Sequence, residues 1–151
     1  MKNNITIDEL LSRGVENIYP SAQEFEKVLN SKKITIYHGI DPTADTLHLG
    51  HMVQFLKLKR FQELGHKVII LIGDFTAQIG DPTDKLSARQ PLTHKQVLQN
   101  AKNYKKQIGR FLDLKKVQIK YNSKWLGKLS FGDTLKLASH FTAQQTLARD
   151  M

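Results

Sequence analysis

The stretch KVIILIGDF, Lys67 to Phe75, constrains the fold more than any other part of this chain. Val68 to Ile72 are uninterrupted aliphatic residues, the pattern of a strand buried on both faces of a parallel sheet. Upstream, ITIYHG from Ile34 is β-branched and alternating, and reads as a short strand. Between them, Val53, Phe55, Leu56, Leu58, Phe61 and Leu64 form the apolar side of a predicted helix. Lys57, Lys59 and Arg60 make its polar side, and Gly65 ends it. Strand, helix, strand is a βαβ unit with a right-handed crossover, so the expected fold class is α/β with a parallel sheet flanked by helices.

The remaining segments extend this unit without marking a second domain. Thr6 with Glu9, and Ser21 with Glu24, are capping-box pairs that open two helices before the first strand, the first stopped near Gly14 and the second near NSKK at 30–33. After the aliphatic strand, Thr76 to Leu92 reads as a long loop of the functional kind. Thr93 and Gln96 open a long helix with Val97, Ala101, Tyr104, Ile108 and Phe111 as its stripe. VQIKYN is a further strand, followed by a turn through Trp125 and Gly127. Ser130 and Asp133 cap a helix running to about Phe141, and a last helix is expected from Thr142.

Composition excludes several classes of function. With 40% hydrophobic and 25% charged residues the chain of 151 is a globular sequence large enough for a core. No cysteine is present, which removes disulfides and thiolate chemistry. No apolar run approaches the roughly 18 residues of a bilayer span, and MKNNITIDELL lacks a leader core, so a cytoplasmic location with no membrane partner is expected. The formal charge of +9 suits a polyanionic partner such as a nucleotide or nucleic acid.

The stretch GIDPTADTLHLGH, Gly39 to His51, sits between the first strand and its helix. In α/β folds that is where ligands bind, and a helix N-terminus offers unpaired amides and a partial positive charge to phosphate. His48 and His51, three residues apart, share one face of this turn and can both donate to phosphoryl or ribose oxygens. Gly50 leaves room for a flat base on the helix backbone. Two bland readings compete. The histidines can be capping or solvated residues, or they can join His38, Asp41 or Asp45 around a metal, although no zinc-site spacing is present.

YHGIDPTADTLHLGH followed by GDFTAQIGDPTDKLSAR closely resembles the H-x-G-H region of class I aminoacyl-tRNA synthetases, specifically the bacterial tyrosyl-tRNA synthetases, and the likeness continues through YNSKWL and ASHFT. The resemblance implies the first half of a Rossmann-like catalytic domain. Within it, residues 1–33 would be N-terminal helices, 34–112 the nucleotide and tyrosine site, and 113–151 the start of an insertion and dimer-interface region. The implied reaction is activation of tyrosine by ATP, with Mg2+ accompanying the nucleotide and no protein-bound metal, then transfer to tRNA(Tyr) by a homodimeric full-length enzyme.

By the same resemblance, the signature Pro42 to His51 handles the nucleotide. Thr43 and His48 would hold the terminal phosphate, His51 the ribose, and the backbone at Gly39 and Asp41 the α-phosphate, with Gly50 under the base. Tyr37 would meet the tyrosine hydroxyl, Asp81 the substrate ammonium, and Thr76 would line the same pocket. Lys85 and Arg89 would bind pyrophosphate. His38, near the ribose, stands where better-known members have cysteine. The second signature, K-M-S-K-S, is missing, as are the remaining ammonium ligands and the anticodon-binding region, so the chain reads as an N-terminal portion with little activation activity alone. Two rival readings remain: a small H-x-G-H nucleotidyltransferase of the pantetheine-phosphate adenylyltransferase type, and a basic nucleic-acid-binding module built on KLKR, KNYKK and LKK.

Overall fold

Side-chain caps start the helices where the sequence places them. The computed structural model describes residues 5–79, 91–142 and 144–145. Helix α1 (Ile7–Ser12) begins with Thr6 Oγ1 accepting the Glu9 amide at 3.1 Å, and α2 (Ala22–Ser31) with Ser21 Oγ accepting that of Glu24 at 3.3 Å. Strand β1 (Thr35–Ile40), helix α3 (Leu49–Glu63) and strand β2 (Lys67–Ile72) follow. After one 3₁₀ turn at Thr76–Gln78 come α4 (His94–Ile108), β3 (Val117–Tyr121), the short α5 (Ser123–Leu126) and α6 (Phe131–Ala138). Reciprocal capping boxes open α4 at Thr93/Gln96 and α6 at Ser130/Asp133, and Thr142 and Gln145 exchange the same bonds. The turn expected around Trp125 is the α5 helix. Gly14 and Gly65, after α1 and α3, take φ of +66° and +83°, the left-handed region that lets a helix end without a Cβ clash.

The sheet is parallel with order β1-β2-β3. Its register aligns three rungs on one face: Ile36, Val68 and Val117; His38, Ile70 and Ile119; Ile40, Ile72 and Tyr121. Two successive crossovers of the same hand step across the sheet in one direction, so α3 and α4 lie on the same side. Phe55, Leu58, Ala101, Tyr104 and Ile108 accordingly join Ile40, Val68, Ile70 and Ile72 in one core. The opposite face carries Tyr37, Gly39, Gln118 and Lys120, all exposed, with Ile69 and Leu71 half-buried. The expectation that β2 is buried on both faces is therefore corrected: among the described residues only its Val68, Ile70 and Ile72 face is covered.

Helix α3 also departs from its predicted stripe. Phe55, Leu58 and Phe61 are buried, whereas Val53 and Leu56 are 54% and 42% exposed. The real stripe has 3-3 spacing and turns away from the aliphatic residues beside it. Phe61 leaves the main core to pack with Leu10 and Leu29 in a second cluster that seats α1 and α2 against the start of β1. Lys57, assigned to the polar side, is half-buried, and its ammonium donates to Leu10 O and Arg13 O, both at 2.6 Å. It thereby satisfies carbonyls at the C-terminal end of α1. Downstream, Trp125, Phe131, Leu135, Leu137 and Phe141 are exposed apolar residues. No helix among the described residues is long and apolar enough to cross a membrane.

Ile108→Ala in the α4 stripe should destabilise the fold by about 2–5 kcal/mol, while Val53→Ala on the outer side of α3 should change stability by less than about 0.5 kcal/mol. Chemical denaturation of both variants checks the corrected packing, and equal losses would contradict it.

Candidate functional site

The Asp41–Leu47 turn has no regular structure of its own, and it is held in place by a helix some sixty residues later in the chain. Asn100 Nδ2 donates to Pro42 O at 3.0 Å. The Gln107 side chain accepts from the Leu47 amide at 3.0 Å and donates to Asp45 O at 3.2 Å. Tyr104, fully buried, meets the backbone of Ala44. Asn100, Tyr104 and Gln107 recur at helical spacing, so one side of α4 both packs the core and grips the turn.

The turn delivers His48 to the N-cap of α3 in extended conformation. The rings of His48 and His51 lie 3.8 Å apart between centroids, and His51 Nδ1 accepts from the His48 backbone amide at 3.3 Å. A ring nitrogen that accepts from N–H carries no proton, so the His51 proton sits on Nε2. Capping and ligand binding, set against each other in the sequence, are thus compatible, because capping occupies Nδ1 and leaves the Nε2 proton available. His38 stands edge-on to Phe55 with centroids 5.8 Å apart, and its Nε2 is buried without a hydrogen-bond partner among the described residues. Burial pushes the His38 imidazole below its ordinary 6.5. His51 is pushed down by burial first, then by His48 and His38. Crowded imidazoles of this kind act as neutral donors and acceptors rather than as cations.

Together His38, Gly39, Ile40, Asp41, His48, Gly50, His51 and Gln54 line a cleft of about 320 Å³ at the C-terminal end of β1. Of the predicted nucleotide residues, His38, Gly39, Asp41, His48, Gly50 and His51 are brought to one place. Gln54 was missed by sequence reasoning, although its i+3 spacing from His51 was a legible signal. Thr43 is exposed and lies outside this lining; its amide donates to Asp41 O at 2.8 Å. Tyr37, 73% exposed, belongs to the open sheet face. Asp81, Lys85 and Arg89 lie outside the described residues. A larger hollow of about 530 Å³ near α1 is lined mainly by apolar side chains such as Leu10, Val15, Phe25 and Phe61, and the ammonium of Lys57 on its wall is bonded to Leu10 O and Arg13 O. Among the described residues no group of three or more His, Asp or Glu is placed to hold a metal.

A polar chain laces the strand ends beside this cleft. Asn122, buried, accepts from Phe75 N at 2.9 Å and donates to Thr76 Oγ1 at 3.0 Å, and Thr76 donates to Asp41 Oδ1 at 2.8 Å. Buried Asp74 accepts from the Ser123 amide and hydroxyl at 3.0 and 2.6 Å. The ends of β3, β2 and β1 are joined in sequence. Gly73 makes room for it, since a Cβ there would overlap the Asp41 carboxylate and crowd Thr76 Oγ1.

The model of the tRNA synthetases class I (W and Y) family matches residues 29–151. The chain belongs to this family. Among curated relatives, it is 49% identical over 146 residues to the tyrosine–tRNA ligase of Carboxydothermus hydrogenoformans, covering 94% of this chain and 36% of that one. It is 46% identical over 140 residues to that of Idiomarina loihiensis, covering 93% and 35%. The chain thus spans about a third of the length of these relatives. In fold it is similar to a C-terminally truncated mitochondrial tyrosyl-tRNA synthetase of Aspergillus nidulans (TM-score 0.76, 24% identity, 95% of this chain and 45% of that one). A tyrosyl-tRNA synthetase of Archaeoglobus fulgidus complexed with L-tyrosine is similar too (TM-score 0.70, 25% identity, 91% and 42%). These synthetases displace the small-nucleotidyltransferase alternative.

Gly73→Ala should cost about 1–3 kcal/mol by forcing the Asp41–Thr76 pair apart; thermal melting checks it. A second expectation concerns pH. His38, His51 and His66 all have folded values below 6.5, with burial the leading cause in each. The unfolded chain then binds more protons in the window under 6.5, so stability should fall as pH is lowered through it. Melting curves between pH 5 and pH 8 at constant ionic strength should show the decline, and His38→Gln should flatten it.

Proposed function

We propose that this chain supplies the nucleotide-binding half of a tyrosine–tRNA ligase, a cytoplasmic enzyme that joins tyrosine to tRNA(Tyr) through a tyrosyl-adenylate. The observation that carries the reading is the convergence of three imidazoles, His38, His48 and His51, on one cleft at the N-terminus of α3, in a chain of the class I synthetase family. ATP would lie with its phosphates along the Asp41–His51 turn and its ribose toward His38 and His51. Mg2+ travels with the nucleotide.

The substrate carboxylate is itself the nucleophile, so the protein needs no general base. Its work is to stabilise the negative charge that grows on the phosphates in the transition state. His48, exposed at the helix start, and His51, with its Nε2 proton, are placed as donors beside the first amides of α3, whose dipole favours the same charge. His38 offers a buried ring nitrogen without a hydrogen-bond partner among the described residues. Thr43 reaches the terminal phosphate, Gly39 and Asp41 present backbone to the α-phosphate, and Gly50 seats the base. A Cβ at Gly50 would come within 3.1 Å of the His48 ring, so the glycine also keeps that imidazole upright.

Tyrosine occupies the open face of the sheet, where Tyr37 is free to pair with its hydroxyl. Thr76 stands at the pocket edge, Asp81 takes the ammonium, and Lys85 and Arg89 take pyrophosphate. The exposed apolar residues of α5 and α6 fit the start of a homodimer interface. The complete cycle belongs to a longer enzyme of which this chain corresponds to about a third.

Isothermal titration of the 151-residue chain with a non-hydrolysable tyrosyl-adenylate analogue tests the reading. Binding should be detectable, and His48→Ala should weaken it by about ten-fold or more, the loss of one or two charge-assisted hydrogen bonds. Tyrosine affinity should change far less. Analogue binding indifferent to His48, or steeply salt-dependent binding of any polyanion in its place, would favour a basic nucleic-acid module.

A further inference from the structure

The geometry points to Gln107 as a positioning residue for the nucleotide site: its side-chain amide clamps the turn before His48 and thereby sets where that imidazole stands. The inference rests on the reading of His48 as a phosphate ligand and adds to it the group that aims it.

Gln107 lies on α4 between the buried Tyr104 and Ile108, on a helix whose stripe is anchored in the main core. Its side chain is half-buried and fully used. The oxygen accepts from Leu47 N at 3.0 Å, and the NH2 group donates to Asp45 O at 3.2 Å and Asn103 O at 3.3 Å. Leu47 is the residue immediately before the N-cap, so the clamp closes one peptide short of His48. An amide has one face of donors and one acceptor, and this site uses both on opposite sides of a single bend. Neither a carboxylate nor an apolar chain of the same length can do so.

The turn needs such a clamp. Residues 41–46 contribute one internal backbone bond, Thr43 N to Asp41 O at 2.8 Å. Thr76 Oγ1 holds the Asp41 carboxylate at 2.8 Å, and the rest of the turn is anchored from α4 by Gln107, by Asn100 to Pro42 O and by Tyr104 at Ala44. Of these, only Gln107 reaches both sides of Thr46. A site that stabilises developing charge depends on donors fixed beforehand, and small misplacement is costly.

The test uses the 151-residue chain, with ATP as the probe. In Gln107→Ala, the ligand-free imidazole resonances of His48 and His51 should shift, and ATP affinity should fall about ten-fold, the loss of two net hydrogen bonds. Gln107→Glu keeps the acceptor for Leu47 and loses the donors, so it should fall between wild type and alanine. Gln99→Ala, on the same helix but away from the turn, should alter neither reading. Unmoved His48 and His51 resonances in a folded Gln107→Ala chain would overturn the proposal. If that variant does not fold, the glutamate variant decides by the same signals. Should the wild-type chain not bind ATP at all, the functional reading fails, while the ligand-free resonances still decide whether Gln107 sets the turn.

Discussion

Everything in this fold follows from two parallel crossovers that step across the sheet in the same direction. Because both are right-handed, α3 and α4 land on one face, and the register converts that into a parity rule. Residues in phase with Ile36, Val68 and Val117 enter the core, and those in phase with Tyr37, Ile69 and Gln118 do not. The rule also places the chemistry. His38 shares the core-facing phase and meets Phe55, while Tyr37 and Gly39 open toward the uncovered side. The histidine-lined cleft at the strand ends and the open face that carries Tyr37 are consequences of a single alternation along β1.

The site is assembled from side chains that do structural work with one end and leave the other available. His51 caps the helix with Nδ1 and keeps its Nε2 proton. Thr76 receives from Asn122 and gives to Asp41. Gln107 and Asn100 belong to a core helix, yet they spend their amides on the loop. Such sharing keeps an irregular turn in one conformation while pairing the polar groups of the turn with side chains of α4 and Thr76. It also explains the glycine at 73, where the lacing leaves no room for a methyl group.

Parts of the architecture were legible because their signals are local. The caps at Thr6, Ser21, Thr93 and Ser130 depend on residues three apart: all four side chains accept the expected amide, but the reciprocal bond of a full capping box forms at Thr93/Gln96 and Ser130/Asp133 and is not seen at Thr6/Glu9 or Ser21/Glu24 among the described residues. Of the predicted α4 stripe, Val97, Ala101, Tyr104 and Ile108 are buried as their periodicity required, while Phe111 lies beyond the helix end and is half-buried. Helix α3 was misread at Val53 and Leu56 because hydrophobic residues occur nearly all round it, and periodicity cannot choose among them. Strand β2 was read as doubly covered because aliphatic composition reports a strand's preference and not whether a second layer is there.

By itself, the sequence determined the kinds of element, their order, and the cluster of histidines at a strand-to-helix turn, since each is written in neighbouring residues and in their likeness to a known motif. Only tertiary structure decided which face of α3 turns inward, that α4 grips the turn through Gln107, and that Asn122 reaches Asp41 through Thr76. Those contacts join residues tens of positions apart. Their partners are chosen by register and crossover hand, and no local window of sequence contains either.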